Sequence, residues 1–338
     1  MRRLAPTPVY LIHGNHDATN KMTRSLPLPP HLHVFGSKAA ETKKLDELQV
    51  AIHGRSFGSS ETRENLVRDY PAPVSGYFNI GLLHSSLVDM EGHDRYAPCS
   101  PELLVNHGYH YWALGHIHKR LTVKEACPTI IFPGNLQGRH AREAGPKGAY
   151  LVEVDDNHRA TMTFRALDDV RWNVVEHHAN ATDDAATILA AVASQARACP
   201  ADGRLLVLRI RLRGECSAHD ELVAHRTFHI HQLRALLKDE LGDDVWLEDL
   251  CVETHARRDE SDDEVDDARA EVARALKEIR SEPTWFAAVA QELADIQNKF
   301  PADLFRGPDA VRLGDADWLA GLLDRVPPIL FHAREESP

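Results

Sequence analysis

Three short stretches carry side chains able to hold a metal ion: "GNHD" (residues 14–17), "GLLHSS" (81–86) and "GHIH" (115–118). Each follows an apolar run and places Asn or His at its end. A buried strand of an open α/β sheet presents polar groups to a ligand in this way. Imidazole nitrogen and amide oxygen are both competent ligands for borderline divalent cations such as manganese, zinc or iron. His116 and His118 stand two apart, so an extended backbone would project both rings from one face. Taken singly, each stretch has an ordinary explanation. A histidine that ends a strand, such as His84, is more often hydrogen-bonded than metal-bound, and Gly, Asn and Asp favour turns. The three together, in this order and each behind an apolar strand, point to a metal centre.

The elements that must position these residues are short. Apolar runs predict strands over Val9–Ile12, Gln49–His53, Phe78–His84, Tyr109–Leu114, Thr129–Phe132 and Ala149–Val154, with Gly and Pro at the breaks. Modest helices fit over Glu61–Asp69 and Pro101–Asn106. A second pattern follows. "ATMTFRALDDVRWNVVEHH" predicts two strands and "DDAATILAAVASQARA" an amphipathic helix. The strand "RLLVLRIRLRG", a longer helix around Glu221–Lys238 and the strand "DVWLEDLCVETH" complete an α+β unit. The acidic run "RRDESDDEVDDARAEV" reads as a solvated linker passing into a helix. Beyond it, residues such as Trp285, Phe286, Val289, Leu293, Ile296, Trp318, Leu319, Leu322 and Leu323 recur at helical steps. The expected organisation is a first domain over 1–165, a small α+β domain over 166–256, and an acidic linker with helices over 257–338.

At 338 residues the chain can build more than one core, and its composition, 43% hydrophobic and 27% charged, is that of an ordinary globular protein. No apolar run is long enough to cross a bilayer, so no membrane association is expected. The apolar run near the start leads into GNHD rather than a small-residue cleavage site, which makes the cytoplasm the expected compartment. The five cysteines are scattered with no CxxC pair, which argues against a zinc ribbon, a dithiol site or a disulfide framework. Residues 1–150 hold 17 Lys and Arg against 13 Asp and Glu, while the rest hold 22 against 38. An acidic whole argues against non-specific coating of nucleic acid, but a metal site binds phosphate with its own charge.

The order GNHD, a strand ending in His, then GHxH resembles that of calcineurin-like metallophosphoesterases. "LGHIHKR" followed by "IIFPGNLQGRH" is similar, more narrowly, to the SbcD/YhaO-type DNA repair exonucleases. The resemblance runs from about Val9 to Glu153, and the α+β unit behind it resembles the capping domain of those nucleases. It implies an α/β fold: a calcineurin-like metallophosphoesterase β-sandwich flanked by helices, N-terminally incomplete, then a small α+β capping domain and C-terminal helices. By position, Asn15, His84 and His116 would bind one metal and His118 its neighbour, the complete family site holding two divalent cations, Mn2+ by expectation. His16 would face the scissile phosphate, stabilising charge or protonating the leaving oxygen, and Asp17 would brace the loop. Arg139 and His140 would contact substrate phosphate, although a loop arginine is as often merely solvated.

Family members also carry an Asp-x-His motif on the first strand and a Gly-Asp-x-x-Asp motif before GNHD. Residues 1–13 contain no aspartate, so the chain resembles such a nuclease without its first βαβ units, with an unpaired strand at that edge. The implied function is a metal-dependent DNA exonuclease or phosphodiesterase in double-strand break repair, inactive as written for want of those carboxylates. Implied partners are DNA and an SbcC-like SMC-type ATPase, onto whose coiled coil the C-terminal helices would dock; a homodimer is left open. The alternatives are a non-catalytic partner- or DNA-binding module and a phosphoesterase with a non-DNA substrate.

Overall fold

The computed structural model describes residues 2–19, 27–59, 64–87, 98–256, 267–297, 299, 305, 311–323 and 326–332. The chain divides into two compact units, Met1–Trp172 and Asn173–Pro338. In the first, β1 (Val9–Leu11) and β2 (Leu32–Val34) form a separate parallel pair. A six-stranded mixed sheet has the order β3-β4-β5-β6-β8-β7. Its strands are β3 (Glu41–Leu45), β4 (Val50–Gly54), β5 (Phe78–His84), β6 (Tyr111–Gly115), β7 (Leu121–Lys124) and β8 (Thr129–Phe132). Strands β4, β5, β6 and β8 run parallel, and β3 and β7 lie antiparallel at the two edges. All four parallel strands therefore deliver their carboxyl ends to one side of the sheet.

Alternation within "YWAL" and "TIIF" sorts side chains to two cores. Trp112, Leu114, Ile130 and Phe132 pack with Leu83, Leu66, Val67, Tyr70 and Leu104 on one face. Tyr111 and Ile131 pack with Phe78 on the other, covered by Tyr150, Val152 and Met162 of the hairpin β9 (Gly148–Val154) and β10 (Ala160–Ala166). Parallel strands read as unbroken apolar runs because both of their faces are covered.

Two expectations change here. The strand at Val9 is not left alone: β2 pairs with it, and the Ser56 hydroxyl ties the ends of both to β4, donating to Phe35 O at 2.6 Å and accepting His13 N–H at 3.0 Å. Strands β2, β3 and β7 had no apolar run to mark them, being three to five residues long and half-exposed. Of the helix expected over Glu61–Asp69, part lies outside the described residues. Leu66–Asp69 forms a 3-10 turn capped by the Asn65 side chain, and the helix α2 (Pro101–Asn106) follows Ser100 as its cap.

The second unit packs β11 (Val170–His178), β12 (Leu205–Cys216) and β13 (Val245–Ala256) into a three-stranded sheet. Strands β12 and β13 are parallel, so they need a crossover, which α4 (His219–Ala224) and α5 (Arg226–Leu241) supply. The one helix expected around Glu221–Lys238 is thus two, because His225 leaves the helical region (φ −107°, ψ 30°). With α3 (Ala185–Ala196) these helices bury Leu208, Ile210, Leu212, Leu233 and Leu250 completely. The helices α6 (Asp267–Ser281), α7 (Pro283–Gln297) and α8 (Ala316–Leu323) form a small core around Phe286, Leu319 and Leu323. Their apolar stripes pack against one another. The linker residues 257–266 lie outside the described residues. Among the described residues, no helix is long and apolar enough to cross a membrane.

Gly81 on β5 faces Trp112 on β6, and a Cβ there would sit 2.2 Å from the indole. Gly81→Ala is expected to destabilise the first unit by about 1–3 kcal/mol, read as a lower urea midpoint. An unchanged midpoint would mean that the indole moves aside freely.

Candidate metal centre

The carboxyl ends of β5 and β6 and the loop after β1 converge. Asn15 opens α1 (Asn15–Thr19), a single turn following Gly14, and its side chain is buried. Asp17 Oδ2 accepts the Gly14 N–H at 3.1 Å and so holds the loop in shape. His84 Nε2 lies 3.0 Å from Asn15 Oδ1, and its ring meets that of His116 edge-on, centroids 5.3 Å apart. The fit is tight. A Cβ on Gly14 would come within 2.4 Å of the His84 ring, and one on Gly115 within 3.0 Å. Glycine is therefore required at Gly14 for the loop to approach at all.

His116 does not continue the strand. Its φ is 106°, so the extended "GHIH" expected from the sequence is instead bent at His116. Non-glycine residues at such φ cost about 1–3 kcal/mol and persist only where the surroundings over-determine them. Buried Ile117 anchors the far side of the bend, which turns the His116 ring toward His84 rather than along the strand face.

His118 lies close enough to influence His84 electrostatically, as do His16 and Asp17. Its Nδ1 sits 2.7 Å from Glu143 Oε1. Arg139 is on the same carboxylate, Nη2 to Oε1 at 2.9 Å, and also 2.9 Å from His118 Nδ1. His140 is half-exposed with Nε2 4.0 Å from Glu143 Oε1. His16 is exposed beside Asn15. Every site residue picked from the sequence thus falls in the first unit, around the ends of its strands. Glu143 was missed. The only local sign of it is the Arg139-to-Glu143 spacing of four, which many exposed pairs share.

Burial pushes the His84 imidazole down to about 4; neighbouring His116, and then His16 and His118, push the same way, and Asp17 opposes them. A neutral imidazole is what a metal requires. Bonds of about 2.1 Å at right angles leave neighbouring donors about 3.0 Å apart, so the Asn15–His84 spacing serves a shared cation as well as a hydrogen bond. Asn15, His84 and His116 fit one divalent cation. Among the described residues, no three His, Cys, Asp or Glu side chains gather to hold a metal. Two divalent cations about 3.75 Å apart repel by roughly 18 kcal/mol at an effective dielectric of 20. Neutral donors cannot offset that, so a second cation needs carboxylates that these residues do not supply.

Residues 172–255 match the family model described as the middle domain of metallophosphoesterase YhaO. An uncharacterized metallophosphoesterase YhaO of Bacillus subtilis (strain 168) is 40% identical over 167 residues, covering 48% of this chain and 41% of that protein. The matched stretch therefore spans about two fifths of that relative's length. Over these parts the chain is similar to proteins described as metallophosphoesterases.

His84 should stay neutral far into acid. Its unfolded form takes up a proton near pH 6.5, its folded form only near 4. The unfolded state binds more protons between those values, so stability should fall as pH drops through that window. Ring NMR signals of His84 are expected to stay neutral from pH 8 to about 5, and His84→Gln to flatten part of the stability slope. Titration of His84 near 6.5 would contradict the burial described.

Proposed function

We propose that this chain carries the histidine side of a metal-dependent phosphoesterase centre of the SbcD/YhaO type, acting on DNA in break repair in the cytoplasm. The observation that carries it is the meeting of Asn15, His84 and His116 at the strand ends, with His118 and Arg139 beside them. DNA is favoured over small phosphoesters by the "LGHIHKR…IIFPGNLQGRH" resemblance and by the likeness of the α+β unit behind it to the capping domain of those nucleases.

A cation bound there, manganese by our reading, would polarise the phosphate and lower the pKa of a bound water. The chain's own residues do the rest. His16, exposed next to Asn15, would stabilise charge on the phosphate or protonate the leaving oxygen. Arg139 turns one side of its guanidinium to Glu143, and its exposed remainder is available to a phosphate oxygen. His140 stands beside it as a second, weaker contact.

The neutral donor set also supports a second reading, a module that binds DNA or a partner without hydrolysing it. The 338-residue chain is expected to bind about one Mn2+ weakly by calorimetry, with affinity reduced about 10–100-fold in His84→Ala. It should cleave DNA and a generic phosphodiester barely or not at all. Robust metal-dependent cleavage abolished by His84→Ala would show that the neutral set suffices. DNA binding with no metal bound would decide for the second reading.

Leu322 on α8, and Ile329 and Leu330 on a last helix, α9 (Val326–His332), which packs chiefly against α4, remain exposed. We propose them as the contact for an SbcC-like ATPase. Deleting the residues after Arg258 is expected to leave the α3–α5 domain folded by circular dichroism and abolish co-purification with that ATPase. An unchanged complex would reject the contact.

A further inference from the structure

We propose that Glu143 is the positioning residue of this centre, fixing the tautomer of His118 and clamping Arg139 beside it. The inference rests on the reading of the site as a metal-dependent phosphoesterase. Glu143 ends a 3-10 turn, Ala141–Glu143, and its side chain is only 7% exposed. An ionised carboxylate that deep must be compensated, and its surroundings do so from every side. Oε1 receives His118 Nδ1 at 2.7 Å and Arg139 Nη2 at 2.9 Å. Oε2 accepts the Asn135 amide at 2.7 Å and the Arg139 backbone N–H at 2.9 Å, with Arg139 Nε at 3.4 Å. The loop from Asn135 to Glu143 is folded around this one group.

The contacts decide the histidine's protonation pattern. Both Glu143 Oε1 and Arg139 Nη2 approach His118 Nδ1. The guanidinium has donors only and the carboxylate lone pairs only, so one ring nitrogen cannot bond to both. If Nδ1 accepted from Arg139, its lone pair would face carboxylate lone pairs at 2.7 Å. If Nδ1 carries the proton, it makes a charge-assisted bond to Glu143, while Arg139 keeps its own bonds to both carboxylate oxygens. The second arrangement wins. His118 is the Nδ1–H tautomer, and Nε2 keeps its lone pair for a ligand. Lys147 Nζ donates to His118 O at 3.0 Å, so the backbone of His118 is held as well as its ring. Glu143 thereby sets a nitrogen donor and a phosphate-seeking cation side by side.

The test is the ring-nitrogen NMR spectrum of His118 in the full 338-residue chain, assigned by loss of its signals in His118→Gln. The expected wild-type pattern is a protonated Nδ1 and a bare Nε2, and Glu143→Ala should shift it to a mixture or to the Nε2–H form. Manganese binding by the wild-type chain, measured in parallel by calorimetry, tests the metal reading separately. If that variant does not fold, the wild-type spectrum alone decides, since an Nε2–H tautomer there would overturn the proposal. An unchanged tautomer in a folded Glu143→Ala would overturn it too. A wild-type chain that shows the Nδ1–H tautomer and binds no manganese would support the positioning role while rejecting the metal reading on which it rests.

Discussion

The seating of one imidazole governs the rest of the site. His84 lies so close to Gly14 that a side chain there has no room, Gly115 is tight against it, and Phe57 closes a third side edge-on at 5.1 Å. A ring so enclosed cannot be protonated cheaply, and it holds Asn15 and His116 at fixed separations. The parallel order of β4, β5, β6 and β8 brings these ends to one side. The Ser56 hydroxyl then fastens β1 and β2 at that same side, although they belong to another sheet. The sheet carries the ring, and the glycines let two loops close on it.

A second, opposite constraint acts a few residues away. His84 gains by excluding charge, whereas the Glu143 carboxyl is held well below the usual carboxylate range although its burial works the other way; hydrogen bonds from Arg139, His118 and Asn135 hold it there. His84 is thus neutral, and Glu143 sits in an ion-pair network. His118 belongs to both. Its ring touches the buried charge and also lies within electrostatic reach of His84.

What could be read in the sequence follows from how local each signal is. The strand ends carrying His84 and His116 were legible because an apolar run, a glycine and a histidine sit within seven residues. The sorting of Tyr111 and Ile131 from Trp112 and Phe132 follows from alternation alone. Strands β2, β3 and β7 were not legible, since "LHV", "ETKKL" and "LTVK" have no continuous apolar character and are strands only through their partners. The break at His225 was hidden because nothing in "LVAHRTFHI" forbids a continuous helix. Glu143 was hidden for a different reason: the group that gives it meaning, His118, lies 25 residues away.

The bend at His116 shows why periodicity pointed to the right residues through the wrong geometry. An extended chain would have aimed His116 and His118 along the same face, as two ligands of adjacent cations. The positive φ instead turns His116 back to share a locus with His84, while His118 is drawn off to Glu143. The strain is tolerable because β6 is anchored on one side by its pairing to β8 up to Ala113, and Ile117 is buried on the other. A straight strand would have spread four neutral donors along an edge. The bent one brings His116 to His84, which already meets Asn15, and leaves the fourth, His118, bonded to Glu143; a single cation needs that gathering.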